Sequence, residues 1–411
     1  MSPLRWTPGL LAVVLATSAQ AEPLTFDQAL ARASANAPSL QAAGLQVEAA
    51  RAASRAAGAL PDPQLKLGVD NYPISGPMAG RFGADQMTMA TIGVMQEVPN
   101  GARRRAEVSA AQAEIGSAQA QAQIAGRDVR LGTALAWIDL YYAQQRLAAL
   151  DEVLRNLRPL WDAAPSGVAS GATRPAMALA PVRLRAGLDD QRSELVAMVG
   201  KARAELVRWT GDPAPSTSGD PPGLHLDADA LRSGLERHPT LLAYQSVGRK
   251  AQAEVDLARA AKRPDWAFEV GYGRRDPMFG DMVSAGVTVR LPLFPGRRQD
   301  PLIAARTADA ARVRAERDTA GRTLAASLDS DLADHVMHHD QWLRARDVVL
   351  PAARQQADLE TASYAAGRAG LAEVLEAFTG LAEARLTTLE REAAVARDAV
   401  RINFTYGSET P

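Results

Sequence analysis

Between Trp266 and Leu293 the chain switches between apolar and polar residues with a period of two. Trp266, Phe268, Val270 and Tyr272 alternate with Ala267, Glu269, Gly271 and Gly273, which predicts a strand with one apolar face. After a loop carrying Asp276, Pro277, Gly280 and Asp281, a second run follows. In it Val283, Ala285, Val287, Val289, Leu291 and Leu293 alternate with Ser284, Gly286, Thr288 and Arg290. The pair reads as a hairpin whose strands, of about ten residues, have the length a tilted strand needs to cross a bilayer. A second hairpin is predicted from Leu65 to Val98, with Leu65, Leu67 and Val69 leading into a loop from Asn71 to Phe82. In its second strand Met87 and Met89 stand in one phase, Ile92 and Val94 in the other. A bulge near Ala90 would reconcile the phases, unless the strand assignment itself is wrong. Four strands cannot close a barrel, and an open sheet edge is not tolerated in lipid. If these strands span a membrane, other chains must complete the sheet.

The remaining pattern is helical. Thr25-Phe26-Asp27-Gln28 has capping-box spacing and opens a helix through Leu30, Leu40, Leu45 and Val47 to about Gly58, where Pro61-Asp62-Pro63 breaks it. After Pro99-Asn100-Gly101 a helix of more than about fifty residues, roughly 80 Å, is predicted to about Leu157. Leu131, Leu135, Ile138 and Tyr142 form its packing stripe. Elsewhere it is mostly Ala, Gln and Gly, side chains small enough for neighbouring helices to approach closely. A turn around Pro165 to Arg174 leads to a returning helix ending near Trp209, and Gly211–Gly223 reads as a linker by composition.

The pattern then begins again. Pro239 minus Pro38, Pro264 minus Pro63 and Val270 minus Val69 all give 201; past the hairpins, Gly296 minus Gly101 gives 195 and Gly367 minus Gly171 gives 196. The shortfall falls mainly in the hairpin loops, where changes in length cost least. The chain is therefore read as an internal duplication, each half running helix, hairpin, long helix, turn, helix. The expected divisions are a signal peptide over 1–21, a first repeat over 22–210, a linker over 211–225, a second repeat over 226–405 and a tail over 406–411.

Composition sharpens this picture. Of 411 residues only 5% are aromatic, which suits long helices better than a compact aromatic core. A net charge of −1 leaves no basic footprint for nucleic acid. The absence of cysteine excludes disulfides, thiolate metal sites and cysteine nucleophiles. Arg5, the apolar run Gly9–Ala16 and Ala19-Gln20-Ala21 have the form of an export signal cleaved before Glu22, with no cysteine behind it for a lipid anchor. No later segment is long and apolar enough for a membrane helix, so any spanning must use strands.

Long helices with small-residue seams, each half joined to a bilayer-length hairpin, describe a tube standing on a membrane. Two copies would give eight strands, a barrel that side chains fill; three give twelve, an even-stranded closed barrel. A conducting pore favours three. The order of elements is similar to that of the TolC family of outer-membrane efflux proteins. So are Gln96-Glu97-Val98-Pro99, Leu291-Pro292-Leu293-Phe294 and the run from Tyr364 through Gly367-Arg368-Ala369-Gly370 to Glu376. Leu60-Pro61-Asp62-Pro63, with Met87 and Met89 ahead of Gln96, most resembles its heavy-metal branch, CzcC-like and CusC-like. The usual Gly-Lys after the second strand is here Gly101-Ala102-Arg103. The resemblance covers essentially the whole mature chain. It implies a mixed α and β membrane protein: a homotrimer whose twelve-stranded outer-membrane β-barrel, four strands per chain, continues into a long periplasmic α-helical barrel. A periplasmic adaptor (membrane fusion) protein and an inner-membrane RND-type pump are the implied partners. No cofactor is implied.

The resemblance also singles out residues. Glu373 and Glu376, at i, i+3 on one helix face, occupy positions where the family carries acidic residues, usually aspartate, around the closed periplasmic mouth. Three copies would set six carboxylates about a narrow opening, repelling one another and attracting cations; the alternative is a solvated surface pair. Adaptor tips dock in the family at the two tip turns, here marked by Gly171 and Thr173 in one half and Gly367, Arg368 and Gly370 in the other. Ordinary turn chemistry would use the same glycines. His335, His338 and His339 have a helical spacing that can hold a divalent metal. A polar helix face or an interchain contact is the favoured alternative, because an exit duct should not bind its cargo tightly. Trp137, Tyr141 and Tyr142 read as packing. Arg103, Arg104 and Arg105 read equally as an interfacial or lumen-facing group or as a solvated helix start.

No Ser/His/Asp arrangement, phosphate loop or dinucleotide fingerprint rises from the chain. The expected function is a passive exit duct, without catalysis, that conducts heavy-metal cations across the outer membrane. The rivals are a duct for drugs or secreted proteins and a soluble periplasmic coiled-coil scaffold whose hairpins pair with protein rather than lipid.

Overall fold

The structure, a computed structural model, describes residues 23–169, 179–223 and 225–407, with side chains for all of these except 163–169. The proposed export signal and the final residues of the chain lie outside them. The capping box forms as spaced: Thr25 N–H donates to Gln28 Oε1 at 3.0 Å, and Gln28 N–H donates to Thr25 Oγ1 at 3.3 Å. The helix it opens is shorter than expected, however. α1 (Phe26–Asn36) stops before α2 (Pro38–Ala56), with Ala37 extended at φ −66°, ψ 118°. A proline disfavours the helical conformation in the residue before it and suits the first turn of a new helix. One expected element thus becomes two.

The four strands β1 (Gln64–Asp70), β2 (Met89–Val98), β3 (Asp265–Arg274) and β4 (Met282–Arg290) form one antiparallel sheet in the order β1-β2-β3-β4. Pairing between β1 and β2 runs unbroken from Gln64↔Met95 to Asp70↔Met89, and β2 pairs with β3 without a slip. The expected bulge near Ala90 is therefore absent. Met87 lies in the turn before β2, so the two phases never share a strand. Similarly β4 ends at Arg290, and Leu291 and Leu293 lie beyond it; Pro292 has no N–H with which to extend the ladder.

The register sorts nearly all the side chains, leaving only Gln96 and Arg274 as polar residues on the apolar face. Leu67, Ile92, Tyr272 and Val283 fall on one rung, and Leu65, Val94, Val270 and Ala285 on another. The opposite face carries Lys66, Gly93, Gly271 and Ser284, then Gln64, Met95, Glu269 and Gly286. Its glycines leave that surface low enough for Lys66 to reach across β2 to Glu269 on β3, at 2.8 Å.

The long helices are α3 (Gly101–Ala169), α4 (Leu179–Thr210), α6 (Pro239–Ala260), α7 (Gln299–Arg344), α8 (Leu350–Ala365) and α9 (Leu371–Tyr406); α5 (Ala228–Gly234) is a short one. α3 continues through Pro165, beyond its expected end near Leu157 and into the range of the expected turn, to Ala169, a length of 69 residues; the rest of that turn lies outside the described residues. A single π turn, Ala345–Val349, separates α7 from α8. Pro351, at the start of α8, lacks an N–H, and its ring would crowd the carbonyl four residues back. The wider turn, closed by Leu350 N–H on the Ala345 carbonyl, accommodates it.

The chain divides into two compact units. The described parts of Met1–Asn36, Gly132–Gly223 and His338–Arg397 make up the first. Its core is a seam of Leu150, Val153 and Leu157 on α3, Leu188 and Leu195 on α4, and Leu375, Ala382 and Leu386 on α9. Spacings of three, four and seven are those of coiled-coil knobs. The segment Gly211–Gly223 is no free tether in this unit. Its Thr217 pairs with Leu24 as a parallel bridge, and Asp212, 7% exposed, meets Arg32. Trp137, fully buried, donates from Nε1 to the Leu24 carbonyl at 2.8 Å and packs edge-on against Phe26.

The second unit comprises Ala37–Leu131, Leu224–Met337 and Asp398–Pro411, as far as they are described. Leu231, Leu328, Ile402 and Tyr406 form a core cluster in it, and the sheet belongs to it. Asn100 anchors the sheet's root. Its Oδ1 caps α3 by accepting from Arg103 N–H at 2.9 Å, while its own N–H and Nδ2 donate to Asp265 at the start of β3, both at 2.9 Å.

Candidate functional site

The best-defined site element is the turn between α8 and α9, wholly within the first unit. Gly367 stands at φ +68°, the left-handed conformation with which glycine closes a helix. Its N–H donates to the Tyr364 carbonyl at 2.9 Å, and Arg368 N–H donates to the Ser363 carbonyl at 2.8 Å. The Arg368 side chain is exposed. Three residues into α9, the Glu373 carboxylate turns back and accepts the N–H of Gly370. This is the reach-back half of a capping box, with glycine in place of the usual hydroxyl residue. Glu373 is thus a helix cap as well as an exposed acid.

Glu376 is exposed one turn further on and lines a groove between α9 and α4. Glu383 lies two turns beyond it on α9, and Asp190 and Glu194 face them from α4; Arg183 is the basic residue of the groove. None of these four carboxylates forms an ion pair with another described residue. By contrast, arginines of the same two helices neutralise acids of α3: Arg192 of α4 pairs with Asp151 at 2.7 Å, and Arg385 of α9 with Glu152 at 2.8 Å. The Arg385 hydrogen bond and charge hold the Glu152 carboxyl below its ordinary value. The two predicted acids are therefore brought to one region with different duties, and they gain three companions that were not foreseen. A signal for these exists in the sequence, since Glu376 and Glu383 are seven apart and Asp190 and Glu194 four apart, but it needs the helix pairing to be read.

Of the other site residues, Gly171 and Thr173 lie outside the described residues. His335, His338 and His339 are carried on α7 as spaced. His339 packs edge-on against Trp342 with ring centroids 5.6 Å apart. Among the described residues no three His, Asp or Glu side chains come together in a metal-holding group. Tyr141 stacks on Trp137 at 5.2 Å, and the Tyr142 hydroxyl donates to Glu392 at 3.3 Å. Burial first, and the Glu392 charge after it, push the Tyr142 hydroxyl well above its ordinary value, so it stays a neutral donor. The arginines after β2 act locally: Arg103 pairs with Glu107 at 3.0 Å, and Arg104 donates from Nε to the Gly58 carbonyl at 2.7 Å. Gly58, at φ +68°, leaves no room for a side chain, because a Cβ there would stand 2.8 Å from the Arg104 carbonyl.

The sheet is the other functional element. Its apolar face is exposed: Leu67 by 71%, Val270 by 59% and Val283 by 74%. β1 and β4 each have a free edge within the chain. No described helix is long and apolar enough to cross a membrane, which says nothing of strands. A four-stranded sheet with one lipid-like face, set among helices of these lengths, defines the architecture of an outer-membrane channel subunit.

Comparison with known proteins agrees. Residues 29–208 and 230–408 match the outer membrane efflux protein family, and the chain belongs to it. It is similar to the cobalt-zinc-cadmium resistance protein CzcC of Cupriavidus metallidurans, 25% identical over 380 residues that cover 90% of this chain and 86% of that one. Among solved structures, a membrane protein from Pseudomonas aeruginosa superposes with a TM-score of 0.80 at 17% identity, covering 93% of this chain and 90% of that one. CusC does so with 0.78 at 16%, covering 93% and 92%. The Campylobacter jejuni outer membrane channel CmeC gives 0.76 at 14%, covering 93% and 85%. These structural likenesses show the fold.

Proposed function

We propose that the chain is one third of an outer-membrane exit duct, three copies closing a twelve-stranded barrel above a periplasmic helical tube. The observation that carries this reading is the sheet itself. An exposed face, apolar apart from Gln96 and Arg274, and two unpaired edges leave backbone groups that lipid cannot satisfy. Two siblings supply them by the closure that removes edges altogether. The polar face, with the Lys66–Glu269 pair, then lines the lumen.

Cargo enters from an inner-membrane pump through a periplasmic adaptor that docks at the tip turns, Arg368 offering it a polar contact. The unpaired acids Glu376 and Glu383 face the mouth and favour cations. The duct itself does no chemistry, and its energy comes from the pump. Heavy-metal cations are the cargo this reading favours, supported by the similarity to a cobalt-zinc-cadmium resistance protein. Deleting the gene should sensitise cells to such metals and leave drug tolerance unchanged, with re-expression restoring growth. Sensitisation to drugs alone would replace this cargo with the rival one while leaving the duct intact.

A further inference from the structure

A second groove opens at the root of the sheet, wholly within the second unit, where the ends of α6 and β4 meet the starts of β3 and α7. It encloses about 730 Å3 and is lined by five arginines against two acids. The acids are already engaged. Glu254 pairs with Arg306 at 3.3 Å. Asp265 accepts twice from Asn100, while Arg103 and Arg290 approach its second oxygen at 3.7 and 4.0 Å. Arg263 and Arg298 are exposed and form no ion pair with any described residue. The Lys262–Asp300 ion pair ties the end of α6 to the start of α7. Arg263 and Arg298, each within two residues of that tie, therefore stand at one end of the groove.

Much of the remaining lining is apolar. Leu291, Leu293 and Phe294 follow directly on β4, and Leu257 on α6 and Leu302 on α7 continue the wall. Leu293 and Phe294 are 70% and 69% exposed, an apolar surface set beside uncompensated charge, which is the make-up of a ligand site. Gln299, the first residue of α7, also lines the groove, and its Oε1 is buried without a hydrogen-bond partner. A buried polar atom is costly to leave unmet; turned over, the same amide offers Nε2 as a donor to an anion. Asp265 and Arg290 are cross-strand partners on the face that carries Glu269, so the charged wall belongs to the polar side of the sheet.

We infer that this groove is a binding site for an amphipathic organic acid, its anionic head held by Arg263 and Arg298 and its apolar body laid along Leu291, Leu293 and Phe294. Guanidinium groups suit carboxylate and phosphate heads, which they grip with paired hydrogen bonds. A metal cation finds no free acid here, and a simple inorganic anion would leave the apolar wall uncovered. An acid with an apolar body uses both. Placing the site on the channel side rests on the barrel proposed above, but the binding does not, because every lining residue belongs to one chain. The site adds organic acids to the solutes that the duct holds.

The test is isothermal titration calorimetry of the detergent-solubilised full chain with 2-naphthoate at neutral pH, with empty micelles as the blank. Wild type should bind one naphthoate per chain, and Arg263→Gln/Arg298→Gln should weaken that binding about tenfold or more. The uncharged isostere 2-naphthamide should bind wild type about tenfold more weakly as well. Phe294→Ser should cost about fivefold through the apolar body. Arg354→Gln, on α8, should bind like wild type. Both groove arginines are exposed and unpaired, so the double variant should keep its melting temperature, which excludes misfolding. Equal affinity in wild type and double variant, or equal binding of acid and amide, overturns the proposal. So does a groove that a second copy or a phospholipid already fills in the assembled protein, which would show as no naphthoate binding at millimolar concentration. A wrong barrel reading would instead appear as a wrong subunit count, with the difference between wild type and variant kept.

Discussion

A glycine between two long helices gives the sharpest quantitative prediction. In the first unit Gly132 on α3 lies under the indole of Trp209 on α4. A Cβ at 132 would stand 2.2 Å from Cζ2, 2.5 Å from Cε2 and 2.7 Å from Cη2 of that ring. The ring cannot swing aside freely: its Nε1 donates to Glu205 at 3.0 Å, and the Arg208 guanidinium covers its face at 4.8 Å. Relieving the clash needs a movement of more than about 1 Å in a packed seam, which costs roughly 2–3 kcal/mol. Replacing glycine by alanine inside a helix returns about 1 kcal/mol, so Gly132→Ala should lose about 1–2 kcal/mol net. Gly126, on the same helix, has nothing within 4 Å of its Cβ position, and Gly126→Ala should gain up to about 1 kcal/mol. Unfolding of a membrane assembly is commonly irreversible, so melting temperatures of the solubilised variants should be compared at one scan rate. In a Trp209→Leu background the penalty at 132 should shrink or vanish. Should Gly132→Ala raise stability as Gly126→Ala does, the close α3–α4 approach is wrong.

Four further outcomes follow, three at the tip and one at a helix cap. Glu373→Ala removes the cap on Gly370 and should lower stability by about 0.5–1 kcal/mol. Glu376→Gln should leave the melting temperature unchanged and weaken cation selectivity in single-channel recordings, and unaltered selectivity would refute its place at the mouth. Gly367→Ala must put a side chain at φ +68°, costing about 1–2 kcal/mol and loosening the tip turn, which should accelerate limited proteolysis between α8 and α9. His238 caps α6 in the second unit by accepting Thr240 N–H at 3.2 Å on Nδ1, while Nε2 meets the Thr405 carbonyl at 2.8 Å. Burial chiefly, with the Arg127 charge adding to it, lowers its pKa against the opposing pull of that carbonyl. Its stabilisation is therefore complete above the unfolded value near about 6.5 and is lost as pH falls through the lower folded one. Melting temperatures at pH 7 and pH 5 should differ more for wild type than for His238→Asn, whose side chain can cap at either pH.

Much of the fold is legible because its signals are local. Alternation with period two gives all four strands and their apolar face, and a four-residue window gives the box at Thr25. The mistakes arise where neighbours a few residues away decide. Pro38 ended α1 although the apolar stripe ran on. Pro165 failed to end α3, and Met87 lent a false phase to a strand that starts two residues later. The segment Gly211–Gly223 has a linker's composition yet is docked, because its partners Leu24, Arg32 and Gln144 lie far away in sequence. At the site, the spacing of Glu373 and Glu376 was readable but not their division of labour, which depends on the Gly370 N–H. The acids facing them from α4 required the tertiary pairing.

The central claim is that β1 of one chain pairs with β4 of the next until three chains close a ring. A chain without cysteine is a clean background for testing it. Within one chain β1 and β4 are separated by β2 and β3, about 14 Å at the usual strand spacing, beyond the roughly 7 Å a disulfide can bridge. Cysteine pairs placed one on β1 and one on β4, scanned through successive registers and oxidised in the membrane, can therefore join only different chains. The duct predicts that some register yields covalent dimers and trimers and nothing larger. Failure to cross-link at every register, or a ladder that climbs past three, would contradict it.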